Sequence, residues 1–239
     1  MPLPFQVRLP PSHALARKTA DDLFNGADVL EVPIGGKGRA GNCYGNVEEH
    51  RLAHGGEAQH GWLLTLWPGR FVEAMFHVVH RRADNTLIDV TAPAWPTVVG
   101  TSIAFIEAAA PADADKMQPQ VPSEFLILDQ DKTTAGFVTA TRRVIEIRAA
   151  QRAVVLSDPD AQFDRDEKGM WKTLMSQSTH AKVAEFEHKW ETAVRKRTQA
   201  EQKMLAAELK HSATGFGVCT CGSTLPFTGC HALLGRALK

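Results

Sequence analysis

The sequence predicts an α+β fold, and three observations carry the prediction. Gly61–Trp67 (GWLLTLW), Phe71–His80 (FVEAMFHVVH) and Thr86–Thr91 (TLIDVT) are short and apolar, and the last two are rich in β-branched or aromatic residues; Pro68-Gly69 and Ala83-Asp84-Asn85 between them are turn formers. Just upstream, Cys43–Ala53 (CYGNVEEHRLA) suits a helix stopped by Gly55-Gly56, with Glu48 and Glu49 in its early turns where the dipole favours them. Far downstream, the stretch 169–210 lacks proline and has no glycine after its first residue, and Val183, Phe186, Trp190 and Val194 recur at helical spacing. The expectation is an antiparallel sheet with the Cys43 helix packed on it, then a helical segment, then a small tail.

The remaining elements follow in chain order. The Pro-rich start, to Ser12, is extended; His13–Phe24 forms a helix ending near Asn25-Gly26, and Ala27–Pro33 a short strand. IGGKGRAGN then reads as a loop. Its glycines with Lys37 and Arg39 invite a phosphate-cradling reading, but neither a GK[ST] ending nor GxGxxG is present, so a loop that shapes access to Cys43 is preferred. Ala94–Pro122 is read as covering segments and a surface loop, and Ser123–Leu128 and Arg142–Ile147 as further strands. The charges of the long helical stretch are balanced, which favours a solvated face over a nucleic-acid surface. Three parts result: 1–165, an α+β domain; 166–211, an amphipathic helical segment; and 212–239, a metal-binding tail.

Composition narrows the function. With 27 basic and 27 acidic residues the formal net charge is zero, so nonspecific binding to nucleic acid or an anionic membrane is not favoured. No apolar run reaches the roughly 20 residues needed to span a bilayer, and the start of the chain lacks the pattern of a secretory signal. The expected compartment is the cytoplasm, where thiols stay reduced.

The four cysteines divide into one and three. Cys43 stands alone at a helix start, followed by His77 and His80 on one strand and Asp89 on the next. Thiol enzymes assemble a nucleophile, a base and the group that orients the base in such an order. The hairpin loop decides which histidine meets Asp89. A three-residue loop makes His77 a diagonal neighbour of Asp89 on one face; a loop of two or four residues puts His80 opposite Asp89. An oxyanion would be held by the Cys43 amide with Asn42 or Asn46. The bland alternatives are a buried thiol, a core histidine and a strand-end aspartate, or a metal held by Cys43, His77 and Asp89. His50, His54 and His60 read as surface residues of the helix and loop.

The other three cysteines crowd the sequence CTCGSTLPFTGCH. Cys219, Cys221, Cys230 and His231 supply three thiolates and one imidazole, a closed tetrahedral set suited to structural zinc. Cys219, Cys221, Gly222, Ser223, Phe227, Cys230 and His231 resemble the SEC-C motif, with Thr224 and Leu225 where that family usually has Gly and a basic residue. The resemblance implies zinc and docking to a protein partner.

GNC, FHVVHR and LIDVTAP resemble the papain-like and transglutaminase-like cysteine enzymes in arrangement, although no Gln lies shortly before Cys43. That resemblance implies a papain-like/transglutaminase-like sheet, with His77 as the base and Asp89 as its partner. The function expected is a thiol hydrolase or acyl transferase acting on an amide or peptide bond of a protein or peptide. The alternative is a non-catalytic adaptor that binds partners through the zinc tail.

Overall fold

The computed structural model describes residues 7–92, 101–166 and 171–212. The predicted zinc ligands Cys219, Cys221, Cys230 and His231 lie outside them. The described residues form a mixed α+β structure. In order, the elements are β1 (Val7–Arg8), α1 (Ala14–Leu23), β2 (Leu30–Gly38), α2 (Cys43–His54), β3 (Glu57–Trp67), β4 (Phe71–Arg81), β5 (Leu87–Thr91), β6 (Ser102–Glu107), β7 (Glu124–Ile127), α3 (Lys132–Leu156), β8 (Gln162–Arg165), β9 (Trp171–Leu174) and α4 (Gln177–Ser212). None of the described helices is long and apolar enough to cross a membrane.

The main sheet runs β1-β3-β6-β2-β5-β4-β7, and β3 also pairs with β4. Strands β3, β6, β2, β5 and β4 therefore close on themselves. Alternation along each strand sends Val32, Leu63, Val79, Ile103 and Phe105 into the enclosed space, with Leu30, Ile34, Met75 and Leu87 against them. The opposite faces of β3, β4 and β6 pack Leu64, Leu66, Val72, Ala74, Ala104 and Ile106 against Ala16 and Ala20 of α1. The β3–β4 hairpin is in register from Glu57↔Arg81 to Trp67↔Phe71. At its tip Arg70 N–H donates to Trp67 O at 3.0 Å, and Gly69 at φ 72° fits the third position of a type II turn after Pro68.

The sheet differs from the expectation in one pairing. It was expected to be antiparallel, yet β2 and β5 run parallel, with Ile34 opposite Asp89 and Gly38 opposite Thr91. The chain between them passes through α2 and the β3–β4 hairpin, long enough for a crossover. The glycines read as a loop belong mostly to this strand: a Cβ at Gly36 would lie 1.9 Å from the Val90 carbonyl oxygen, and one at Gly38 2.5 Å from it. Side chains are excluded there because the two backbones touch.

Two further expectations are corrected. Arg142–Ile147 is helical, inside α3: its β-branched residues imitate a strand locally, but Thr134, Phe137, Thr141, Ile147, Gln151 and Val155 are the buried side of one long helix. Within the supposed covering segment, Ser102–Glu107 is β6, an inner strand of the closed circuit. Helix α3 packs along α4, where Arg148 stacks on Trp190 at 3.9 Å and binds Glu187 at 2.7 Å. Their shared end meets the sheet through Trp67, Phe71, Phe125, Phe137, Val138 and Met204.

The glycine geometry separates two substitutions. Gly36→Ala forces β2 away from β5 and lowers stability by about 1–3 kcal/mol. Gly136→Ala, in α3 with nothing within 4 Å of its added Cβ, raises it by about 0.5–1 kcal/mol. Urea unfolding of both variants checks the opposite signs.

Candidate active site

The β4–β5 hairpin sets the site's register. Asn85 N–H donates to Arg82 O at 2.9 Å and Arg82 N–H to Thr86 O at 2.9 Å, enclosing Ala83, Asp84 and Asn85. Asn85 takes the left-handed conformation at φ 67°, the residue that closes a three-residue loop. Asp84 Oδ1 secures the return by accepting Thr86 N–H at 3.0 Å and its hydroxyl at 2.7 Å. His80 then pairs with Ile88. His77 and Asp89 fall on one face as diagonal neighbours, with His77 Nε2 3.2 Å from Asp89 Oδ1. The two registers left open by the sequence are thus resolved in favour of His77.

His80 points to the opposite face and is structural. Its Nε2–H donates to Gly55 O at 2.8 Å, tying the end of α2 to β4. Gly56, at φ 83°, lets the chain pass: a Cβ there would meet Arg81 O at 2.3 Å.

Helix α2 packs Val47 on Val78, Ile88 and Val90, with Cys43 and Tyr44 at the edge of that cluster. Its first residue, Cys43, is half-buried and shares a side-chain hydrogen bond with His77. With Nε2 turned to Asp89, Nδ1 is the ring nitrogen left for the sulfur. The Val78 backbone N–H also points at the sulfur. The three predicted residues Cys43, His77 and Asp89 are therefore brought together in the predicted order.

Asn46 does something other than the oxyanion role predicted for it. It is buried. Its amide nitrogen donates to Arg39 O at 2.7 Å and Thr91 Oγ at 3.2 Å, and its oxygen accepts Arg39 N–H at 2.9 Å. Both amide hydrogens are used, so no donor remains for an oxyanion. Asn46 instead fixes the loop that delivers Cys43. Asn42 precedes the helix, and its side chain occupies the space a Cβ on Gly45 would need, at 2.5 Å. The tight approach suspected at Gly45 is that of a side-chain amide.

The electrostatics favour a charged pair. Burial pushes the Cys43 thiol up, but the charge and hydrogen bond of His77, helped by the Val78 amide, outweigh it and hold the thiol below its ordinary range. Burial pushes His77 down, while the Cys43 thiolate and Asp89 push it up further, to about 10. Burial likewise opposes ionisation of Asp89, and His77, Arg8 and the Thr91 N–H overcome it. All three shifts act towards a proton on the imidazole, between two anions.

Arg8 was not anticipated from the sequence. Its Nη1 lies 3.0 Å from Asp89 Oδ2, with side chains 9% and 0% exposed. The contact is an ion pair, without directed hydrogen-bond geometry at either atom. A strand of two residues in a Pro-rich start gives no periodicity, and a lone arginine between apolar neighbours was the only signal. His50 also departs from a surface role. Its ring lies 4.3 Å from His54 and 4.5 Å from His80, centre to centre, and its Nδ1 is buried without a hydrogen-bond partner among the described residues. His60 is half-buried on β3, stacked on Phe76 at 6.0 Å. Among the described residues, no group of three or more His, Cys, Asp or Glu is placed to hold a metal ion.

Compared with protein-family models, curated proteins and solved structures, the chain matches none of them.

The histidine cluster sets a pH dependence. Burial, then the neighbouring His80, His54 and Arg82, lower the His50 pKa. The unfolded chain binds that proton more readily. Stability is therefore held above the ordinary histidine value of about 6.5 and lost as pH falls below it. Melting temperature should drop on acidification through that window, and His50→Gln should flatten the drop.

Proposed function

We propose that this chain is a thiol hydrolase or acyl transferase of the papain-like or transglutaminase-like kind, acting on an amide or peptide-type bond. The observation that carries the reading is the continuous contact from Cys43 through His77 to Asp89, with His77 Nε2 3.2 Å from Asp89 Oδ1. In this reading the Cys43 thiolate attacks the acyl carbon and a C–S bond forms. The carbonyl oxygen takes the negative charge and faces the Cys43 backbone N–H at the positive end of α2, with Asn42 beside it. The His77 imidazolium gives its proton to the leaving amine as the C–N bond breaks. Neutral His77 then accepts a proton from water or another acceptor nucleophile, which attacks the thioester and releases the acyl group. The thiolate leaves and the starting pair is restored. Asp89 keeps the ring in one tautomer and stabilises its charged form.

Turnover of an activated ester tests this without knowledge of the natural substrate. With p-nitrophenyl acetate, mass spectrometry should find an acetyl group on Cys43. Cys43→Ala should abolish it, and His77→Ala should slow acylation by about 10²-fold or more. Turnover unchanged in Cys43→Ala would end the enzymatic reading and leave the adaptor.

For the tail, we propose structural zinc held by Cys219, Cys221, Cys230 and His231, because the donor set is closed and tetrahedral in type. The tail would serve as a docking module for a protein partner. Elemental analysis should give about one zinc per chain, lost in Cys219→Ser/Cys221→Ser, while acylation of Cys43 persists.

A further inference from the structure

We propose that Arg8 is a positioning residue of the same site: through Asp89 it completes a buried row of alternating charge, Cys43–His77–Asp89–Arg8, on which the Cys43 thiolate depends. The inference rests on the thiol-enzyme reading and extends it to the N-terminal strand.

Charge balance is the argument. Asp89 is fully buried, and its two oxygens are used separately. Oδ1 takes the His77 ring at 3.2 Å and the Thr91 N–H at 3.0 Å, whereas among the described residues Oδ2 has only the Arg8 guanidinium at 3.0 Å. With thiolate, imidazolium, carboxylate and guanidinium in a row, these four side chains sum to zero; Glu73, the buried carboxylate further along the His77 face of β4, has an interaction of its own. Removing the guanidinium leaves a net negative charge away from water, which is costly. The cheapest repair is to take up a proton. A proton on Cys43 removes the nucleophile directly. A proton on Asp89 removes the anion that stabilises imidazolium, so the thiolate again loses its partner. Either repair raises the pH at which Cys43 ionises.

The backbone around Arg8 suits this task. Val7 and Arg8 pair with Leu66 and Thr65 of β3. The next residue, Leu9, is 1% exposed; its N–H donates to Leu64 O at 3.0 Å and its carbonyl accepts Ala104 N–H at 3.0 Å. Arg8 is thus fixed immediately before an anchored core residue. It stands level with Thr65 and on the same side of β3 as Leu63, the side from which His77 and Asp89 also project.

The test is the rate of Cys43 alkylation by iodoacetamide as a function of pH in the full chain, for wild type, Arg8→Met and Arg8→Lys, with circular dichroism to show folding. Wild type should show a plateau reaching well below the ordinary thiol pKa of about 8.5. Arg8→Met should move the rise to higher pH by about one unit or more, a tenfold loss of rate on the acid limb for each unit. Arg8→Lys, which keeps the charge, should hold most of the wild-type plateau. If Arg8→Met does not fold, the pair Asp89→Asn and Arg8→Met/Asp89→Asn decides. Arg8 acting through Asp89 predicts profiles for the pair that differ far less than wild type differs from Asp89→Asn. A wild-type plateau left unchanged in folded Arg8→Met, a shift in Arg8→Lys as large as in Arg8→Met, or a pair whose profiles lie as far apart as those of wild type and Asp89→Asn, overturns the role of Arg8 while leaving the thiol enzyme intact. An ordinary wild-type thiol profile removes the charge row, and both readings fall.

Discussion

A carboxylate with no exposure to water has to be surrounded by donors, and the arrangement around Asp89 meets that demand from three directions. His77 arrives from β4, Arg8 from β1, and the Thr91 N–H from two residues further along β5 itself. A further connection is indirect: the Thr91 hydroxyl accepts Asn46, Asn46 grips both backbone groups of Arg39, and that loop ends at Cys43. An uncompensated buried charge costs several kcal/mol, so the same requirement that places these partners around the carboxylate also brings a sulfur against an imidazole. Folding and site assembly are here one process.

The parallel pairing of β2 with β5 gives this arrangement its compactness. Because Gly36 and Gly38 carry no side chains, β2 lies directly against Val90, and Ala92 N–H donates to Gly38 O at 3.0 Å. The chain leaves β2 beside Thr91, turns through Arg39–Asn42 and enters α2 at Cys43. The polarity matters. Parallel strands make the end of β2 coincide with the end of β5, where Asp89 and Thr91 sit, so the nucleophile follows after a short, fixed loop. An antiparallel β2 would deliver its exit, and therefore the helix start, to the far end of β5.

The parts legible in the sequence are those governed by local chemistry. The β3–β4–β5 meander declares itself through turn residues and β-branched strands, and α2 through its glycine stop. Cys43, His77 and Asp89 stand out by their order on helix start, strand and next strand, and the few geometries of the hairpin loop narrow the histidine to His77 or His80. What escaped is nonlocal. β6 lies in an Ala- and Pro-rich region with no hairpin partner next to it in sequence, and it is a strand because β2 and β3 flank it. Arg142–Ile147 is locally strand-like, and only the pairing of α3 with α4 keeps its longer period. Asn46 looked available because its partners, Arg39 and Thr91, are set by the crossover. Arg8 sits on a strand of two residues that exists only because β3 supplies an edge.

The two histidines of β4 show how closely the loop and the chemistry are linked. His77 and His80 differ by an odd number of positions, so they face opposite sides of the strand whatever its register. With Ala83, Asp84 and Asn85 enclosed, the His77 side is shared with Asp89, and the His80 side is left for Gly55 O. A slip of one residue would reverse both assignments at once: Asp89 would share a face with His80, and its carboxylate would leave the side from which Arg8 reaches it. The left-handed Asn85 and the Asp84 bonds to Thr86 oppose that slip locally, and the His80 clasp on α2 opposes it from the other face. Register is therefore fixed twice, and both devices lie outside the three residues whose meeting they decide.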